Sequence, residues 1–155
     1  MKTFKMDEID RKLLRLLQRD GRITNVELSR QAHLSQAATH ERVRRLQAEG
    51  VIEGYAVRLN PAKLGRGLLV FIEVTLDRTS TAAFDEFAAA VARTPEVLEC
   101  HMVAGGFDYL VKVRVQDMDA YRRFLGETLA RLPGIRQTHT YTVMEEVKST
   151  TELPL

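Results

Sequence analysis

At 155 residues, 45% of them apolar and 28% charged, the chain is long enough for two small globular domains and polar enough to stay in water. No apolar run approaches the about 20 residues of a membrane span, the first residues lack the hydrophobic core of a signal peptide, and the single cysteine, Cys100, excludes an internal disulfide. A cytoplasmic protein is expected. The net charge of +2 divides unevenly, +5 over residues 1–65 and −3 over residues 66–155, so only the first part has the positive charge to displace phosphate counterions.

A first helix is predicted from near Asp7 to Gly21, with Asp10 at its positive end and Ile9, Leu13, Leu14, Leu16 and Leu17 forming a broad apolar face. Thr24 and Glu27 have the spacing of a capping box, which opens a second helix with apolar positions Val26, Leu28 and Ala32. His33-Leu34-Ser35 makes a corner in which Leu34 plugs the angle and Ser35 caps a third helix. In that helix Thr39, Val43 and Leu46 share the inward stripe, and Gly50 is a left-handed stop. This is the layout of a helix-turn-helix, whose second helix enters the DNA major groove. Val51 to Leu59 then alternates as a half-buried strand does, Asn60-Pro61 breaks it, and Lys63 to Gly67 reads as a hinge.

The remainder alternates strand and helix signals. Strands are expected at Leu68–Leu76, Val97–Val103, Tyr109–Val115 and Thr138–Val147, and helices at Thr81–Arg93 and Asp119–Leu132. The order βαββαβ predicts a ferredoxin-like antiparallel sheet with two helices on one face. The open face and the exposed edges then invite self-association. The fold class is α+β, divided into a helix-turn-helix domain at 1–53, a linker strand and hinge at 54–67, and a ferredoxin-like domain at 68–155.

With Thr39, Val43 and Leu46 inward, Ala37, Ala38, Glu41, Arg44 and Arg45 point outward, and Gln36 lies in the first turn, where recognition helices meet base edges. Gln suits adenine, Arg suits guanine or phosphate, and Ala suits a thymine methyl. Arg42 lies beside the inward stripe, where a phosphate contact and an ion pair with a neighbouring acid are equally open. An ordinary solvated basic face is the alternative for the whole helix. In the second module, Asp108 beside Gly105 and Gly106 suits an amino group held by a carboxylate near glycine N–H donors, or an aspartate that merely shapes a turn. The four histidines are scattered, with no second ligand at metal spacing, and no nucleophile or phosphate-loop motif is present. No catalysis, metal or cofactor is expected.

The chain resembles the Lrp/AsnC, or leucine-responsive "feast/famine", family of transcriptional regulators. The resemblance rests on Asp10-Arg11-Lys12-Leu13-Leu14, Asp20 to Leu28, Glu41-Arg42-Val43-Arg44-Arg45-Leu46, Gly50 to Tyr55 and Leu59-Asn60-Pro61. It continues through Glu99-Cys100-His101, Gly105-Gly106-Phe107-Asp108-Tyr109, Arg131-Leu132-Pro133-Gly134 and Val143 to Lys148. It spans nearly the whole chain, and the last block looks closest to the leucine-responsive branch.

The resemblance implies a winged helix-turn-helix that binds double-stranded DNA and an amino-acid-sensing ferredoxin-like domain. It also implies homodimers that assemble further, up to octamers, in a nucleoid-associated protein. Its effector pocket lies between subunits, which here points to Gly105, Asp108 and Tyr109, with Met102, Met118, Thr140 and Thr142 as walls; Met102 and Met118 also suit simple core filling. Two departures stand out: Ser35 is followed by Gln36-Ala37-Ala38 where the family often has Ser-Pro, and the loop reads Gly-Gly-Phe-Asp where an acid commonly follows the first glycine. The function expected is a sequence-specific regulator sensing leucine or another amino acid. An architectural DNA-wrapping protein without effector is the alternative. A sensing subunit of an enzyme is a third reading, against which the basic first part argues.

Overall fold

A computed structural model describes residues 5–155; the first four residues of the expected leaderless N-terminus lie outside it. The described chain divides into two compact units, residues 5–58 with 148–155, and residues 59–147.

In the first unit, α1 (Glu8–Arg19) starts on a reciprocal box. The Asp7 carboxylate accepts from Asp10 N–H at 2.8 Å, and the Asp10 carboxylate accepts from Asp7 N–H at 3.2 Å. Helix α2 (Asn25–Ala32) is capped by Thr24, whose hydroxyl accepts from Glu27 N–H at 3.2 Å. Only half of the expected box forms, because the Glu27 carboxylate turns along the helix to Arg30 and Gln31. Leu13, Leu28 and Ala32 make the core, with Ile9, Leu16, Leu17, Ile23, Leu34 and Val43 around them. Val26, expected among these, is instead exposed. His33 turns the corner in the left-handed region (φ 57°), and Ser35 caps α3 (Gln36–Ala48) through Ala38 N–H. Thr39 and Leu46 are fully buried, and Gly50 (φ 70°) ends the helix as expected.

Residues 51–59 correct the sequence reading: they form no strand. Their alternation has no partner strand among the described residues, and Val57 and Leu59 are 83% and 68% exposed. The expected hinge contains a short 3-10 turn, Ala62–Leu64, closed by Gly65 at φ 65°.

The last eight residues belong with the first unit, although the sequence assigns them to the second module. The Gln18 side chain grips Leu153 at both backbone groups, donating to its carbonyl at 3.1 Å and accepting from its N–H at 2.7 Å. Arg15 donates to the Leu155 carbonyl at 3.1 Å.

The second unit runs β1 (Leu68–Leu76), α4 (Thr81–Val91), β2 (Val97–Met102), β3 (Tyr109–Val115), α5 (Met118–Glu127) and β4 (Ile135–Thr142). The sheet order β2-β3-β1-β4, antiparallel throughout, is the predicted split motif. Val70, Ile72, Val74, Val111 and Val113 are fully buried against Phe87, Tyr121, Phe124 and Leu129. The opposite face carries Phe71, Glu73, Leu110, Lys112 and Tyr141, matched across the register of β1, β3 and β4. Two elements differ from expectation by three residues or more at a boundary. Strand β4 starts at Ile135, opposite Leu76, and ends at Thr142, because β1 has almost no residues left to pair beyond Val70. Helix α5 ends at Glu127 and gives way to a 3-10 turn, Leu129–Arg131, that seats Leu129 in the core.

Candidate functional site

Helix α3 presents Gln36, Ala37, Ala38, Glu41, Arg44 and Arg45 to solvent, as its inward stripe dictates. Arg42 takes the ion-pair option. Its Nη1 lies 2.7 Å from Asp7 and 2.8 Å from Asp10, while Arg45 Nη2 donates to the other Asp10 oxygen at 2.7 Å. The Asp10 carboxylate is fully buried, with every oxygen engaged. Hydrogen bonds from Asp10 N–H and Arg42 hold the Asp7 carboxyl below the usual carboxylate range, and the same two acids push the Arg42 guanidinium up. An acidic clamp on α1 therefore fixes the angle of α3 and leaves Gln36, Ala37, Ala38, Glu41 and Arg44 turned to solvent.

Sequence reasoning missed this role of Asp10, which it placed only near a helix dipole. The signal was present: Asp7 and Asp10 are three apart on one helix, and Arg42 and Arg45 are three apart on another. Matched spacing of opposite charge on two neighbouring helices is what a two-point clamp requires.

In the second unit the loops after β1 and β2 enclose an open cavity of about 400 Å³. Its walls include Asp77, Arg78, Gly105, Gly106, Asp108 and Arg136. Asp108 ties the loops together: its Oδ2 accepts from Leu76 N–H at 2.7 Å, and its own N–H donates to the Val74 carbonyl at 3.0 Å. Gly105 and Gly106 have no atom within 4 Å of an added Cβ and no positive φ, so the fold itself does not demand glycine there. Their bare backbone leaves room for close approach of a ligand.

The structure thus gathers Gly105 and Asp108 and leaves the other expected wall residues outside the cavity. Tyr109 is a core residue, its ring 4.6 Å from Phe87 and 6.1 Å from Phe84, and burial pushes its phenol up. Thr140 and Thr142 lie on the edge strand β4, where the Thr140 hydroxyl meets the Tyr121 hydroxyl at 2.5 Å on the face that α5 covers. Met118 stands one turn before Tyr121, and both Met118 and Met102 are more than half exposed, which overturns core filling for either. Arg78 and Arg136, absent from the sequence-based set, were hidden because β-strand alternation alone does not place loop and bulge residues. Among the described residues no cluster of His, Cys, Asp and Glu has the makings of a metal site, and no helix is long and apolar enough to cross a membrane.

Two family models account for most of the chain. A winged helix-turn-helix DNA-binding model matches residues 6–53, and the Lrp/AsnC ligand binding domain matches residues 69–153. The leucine-responsive regulatory proteins of Salmonella typhimurium and Escherichia coli K12 are each 55% identical over 148 residues, 96% of this chain and 90% of theirs. Among solved structures, a transcriptional regulator of Neisseria meningitidis in complex with L-methionine superposes with a TM-score of 0.92 at 38% identity, covering 97% of both chains. Escherichia coli AsnC superposes at 0.89 with 26% identity, covering 97% of this chain and all of that one.

Proposed function

Because the chain belongs to the Lrp/AsnC family of transcriptional regulators, and is a regulator rather than an enzyme, we propose that it reads operator DNA with α3 and senses an amino acid through its second unit. The observation that carries this is the outer face of α3, where Gln36, Ala37, Ala38, Glu41, Arg44 and Arg45 stand exposed on a helix clamped from behind. Gln36, Ala37 and Ala38 read base edges from the first turn, with Glu41 accepting from a cytosine amino group. Arg44 and Arg45 meet bases or phosphates farther along. Arg42 contributes by holding the helix.

On the input side, Gly105 and Asp108 take the backbone groups of the amino acid, as a carboxylate beside unhindered amides suits. Met102, Met118, Thr140 and Thr142 complete the site only if a second copy brings its own edge to the cavity, since in one chain they lie outside it, while Tyr109 stays in the core. Leucine, the effector in the name of the close relatives, and methionine, bound by the Neisseria regulator, are the first candidates.

Self-association is favoured by surface left without cover: Tyr141 with the half-buried Phe71 and Leu110 on the open sheet face, Tyr55, Val57 and Leu59 in the extended segment, and the two sheet edges. Homodimers assembling to octamers, on the nucleoid, are the arrangement we propose. Effector binding acts by favouring one assembly state over another, since a ligand with equal affinity for both shifts nothing.

The test is fluorescence anisotropy with promoter and scrambled DNA over a salt series, with and without each amino acid, alongside light scattering for assembly size. Tighter binding to promoter DNA that an amino acid modulates is the expected result. Equal affinity for both sequences, unmoved by every amino acid, is the signature of an architectural protein and overturns the reading. Asp108→Ala should abolish the response and leave basal DNA binding; a surviving response removes Asp108 from the pocket.

A further inference from the structure

Strand β4 carries a bulge at the cavity. Val70, Ile72 and Val74 of β1 pair with Thr142, Thr140 and Thr138, so even-numbered residues of β4 share the face of the buried core. Strict alternation would turn Arg136 into that apolar side. Instead the register shifts between Thr75 and Leu76: Leu76 pairs with Ile135, Thr75 pairs with Gln137, and Arg136 is the extra residue. Ile135 takes the core position, and Arg136 is expelled to line the cavity. Bulges next to sites re-aim side chains in this way.

The bulge is anchored from the other side as well. Gly134 stands at φ 70°, its carbonyl accepts from Asp77 N–H at 2.8 Å, and a Cβ there would come within 3.3 Å of Asp77 Oδ1. The same cavity receives Arg78, two residues beyond the end of β1. Neither Arg78 nor Arg136 has a hydrogen-bond or ion-pair partner among the described residues. Asp108 already spends one carboxylate oxygen on Leu76 N–H.

From this we infer that the bulge-delivered Arg136, with Arg78, makes the cavity select α-amino acids that carry a second carboxylate, the chemistry of aspartate and glutamate. One guanidinium meets the α-carboxylate and the other the side-chain carboxylate, each in the planar fork that suits a carboxylate, while the remaining Asp108 oxygen meets the ammonium. An aliphatic amino acid has a single carboxylate and leaves one guanidinium without its counter-ion. The inference rests on the amino-acid-sensing reading above and deepens it.

Isothermal titration calorimetry on the full chain tests it, with L-glutamate, L-aspartate, L-leucine and L-methionine as ligands. A dicarboxylic amino acid should bind at least about tenfold more tightly than leucine, the worth of one charge-assisted hydrogen bond. Arg136→Asn should remove most of that margin, and Arg136→Lys should retain part of it. Circular dichroism establishes that each variant is folded. Tighter binding of leucine or methionine, or a margin that survives Arg136→Asn, overturns the inference and leaves amino-acid sensing intact. If none of the four binds while promoter DNA still does, the inference falls and the sensing half of the proposed function falls with it.

Discussion

The Asp10 carboxylate on α1 accepts from the Arg45 guanidinium on α3 at 2.7 Å, with the acid fully buried and the base partly in water. An arginine at the outer edge of α3 is thereby tied to an acid in the module's interior. Asp10→Asn should lower the unfolding free energy of the first unit by about 2 kcal/mol. That is less than the about 3–5 kcal/mol of breaking a wholly buried pair, because Arg42 and Arg45 retain access to water. Urea denaturation followed by circular dichroism measures the change, and a loss within error would deny the clamp.

Arginines on the same helix should separate by their salt response. Arg44→Ala should weaken DNA binding and reduce the slope of log affinity against log salt by about 0.9, the share of one phosphate contact. Arg42→Ala should lower the melting temperature and leave that slope unchanged. Anisotropy at several salt concentrations, paired with thermal melts, distinguishes the two.

Of two glycines near the cavity, only one should be needed for stability. Gly134→Ala places a side chain in the left-handed region and against Asp77, and should destabilise the second unit by about 1–2 kcal/mol. Gly105→Ala meets neither obstacle, and its thermal stability should match that of the unaltered chain. A drop in amino-acid affinity confined to Gly105→Ala would locate the ligand at that backbone.

Acid should act on α2 through Glu27. Hydrogen bonds from Arg30, and then from Gln31, lower its pKa from the ordinary 4.5 to about 2. A depressed carboxylate stabilises the folded state above pH 4.5, and that contribution fades as pH falls toward 2. Stability curves of the unaltered chain and Glu27→Gln should therefore differ at neutral pH and converge near pH 2. Solvent screening keeps the gap small, since the pair is exposed. Curves that stay parallel across that window would mean Glu27 carries no linkage.

The sequence was most readable where local chemistry and tertiary packing agree. Asp7, Ser35 and Gly50 mark helix ends by their own side chains or by the lack of one, and the β1 and β3 boundaries follow from apolar runs. It was least readable where a partner decides. Val51 to Leu59 alternates like a strand, yet no strand among the described residues pairs with it. Glu27 has capping-box spacing but prefers Arg30, a competitor that the motif does not include. Arg136 has the parity of a core residue, and only the register against Thr75 and Leu76 turns it outward. Of the expected pocket, Gly105 and Asp108 share one loop and so travel together, whereas Thr140 and Met118 depend on distant pairing.

The grip of Gln18 on Leu153 makes the first unit a discontinuous domain: it closes only when residues 148–155 return to it. The contacts that Arg15 and Gln18 make are therefore complete only once residues 153–155 have been added, after the whole of the second unit in sequence. A fragment ending at residue 58 would carry α3 intact yet leave Arg15 and Gln18 facing water. Fusing residues 148–155 to that fragment through a flexible linker is the smallest change that would restore it.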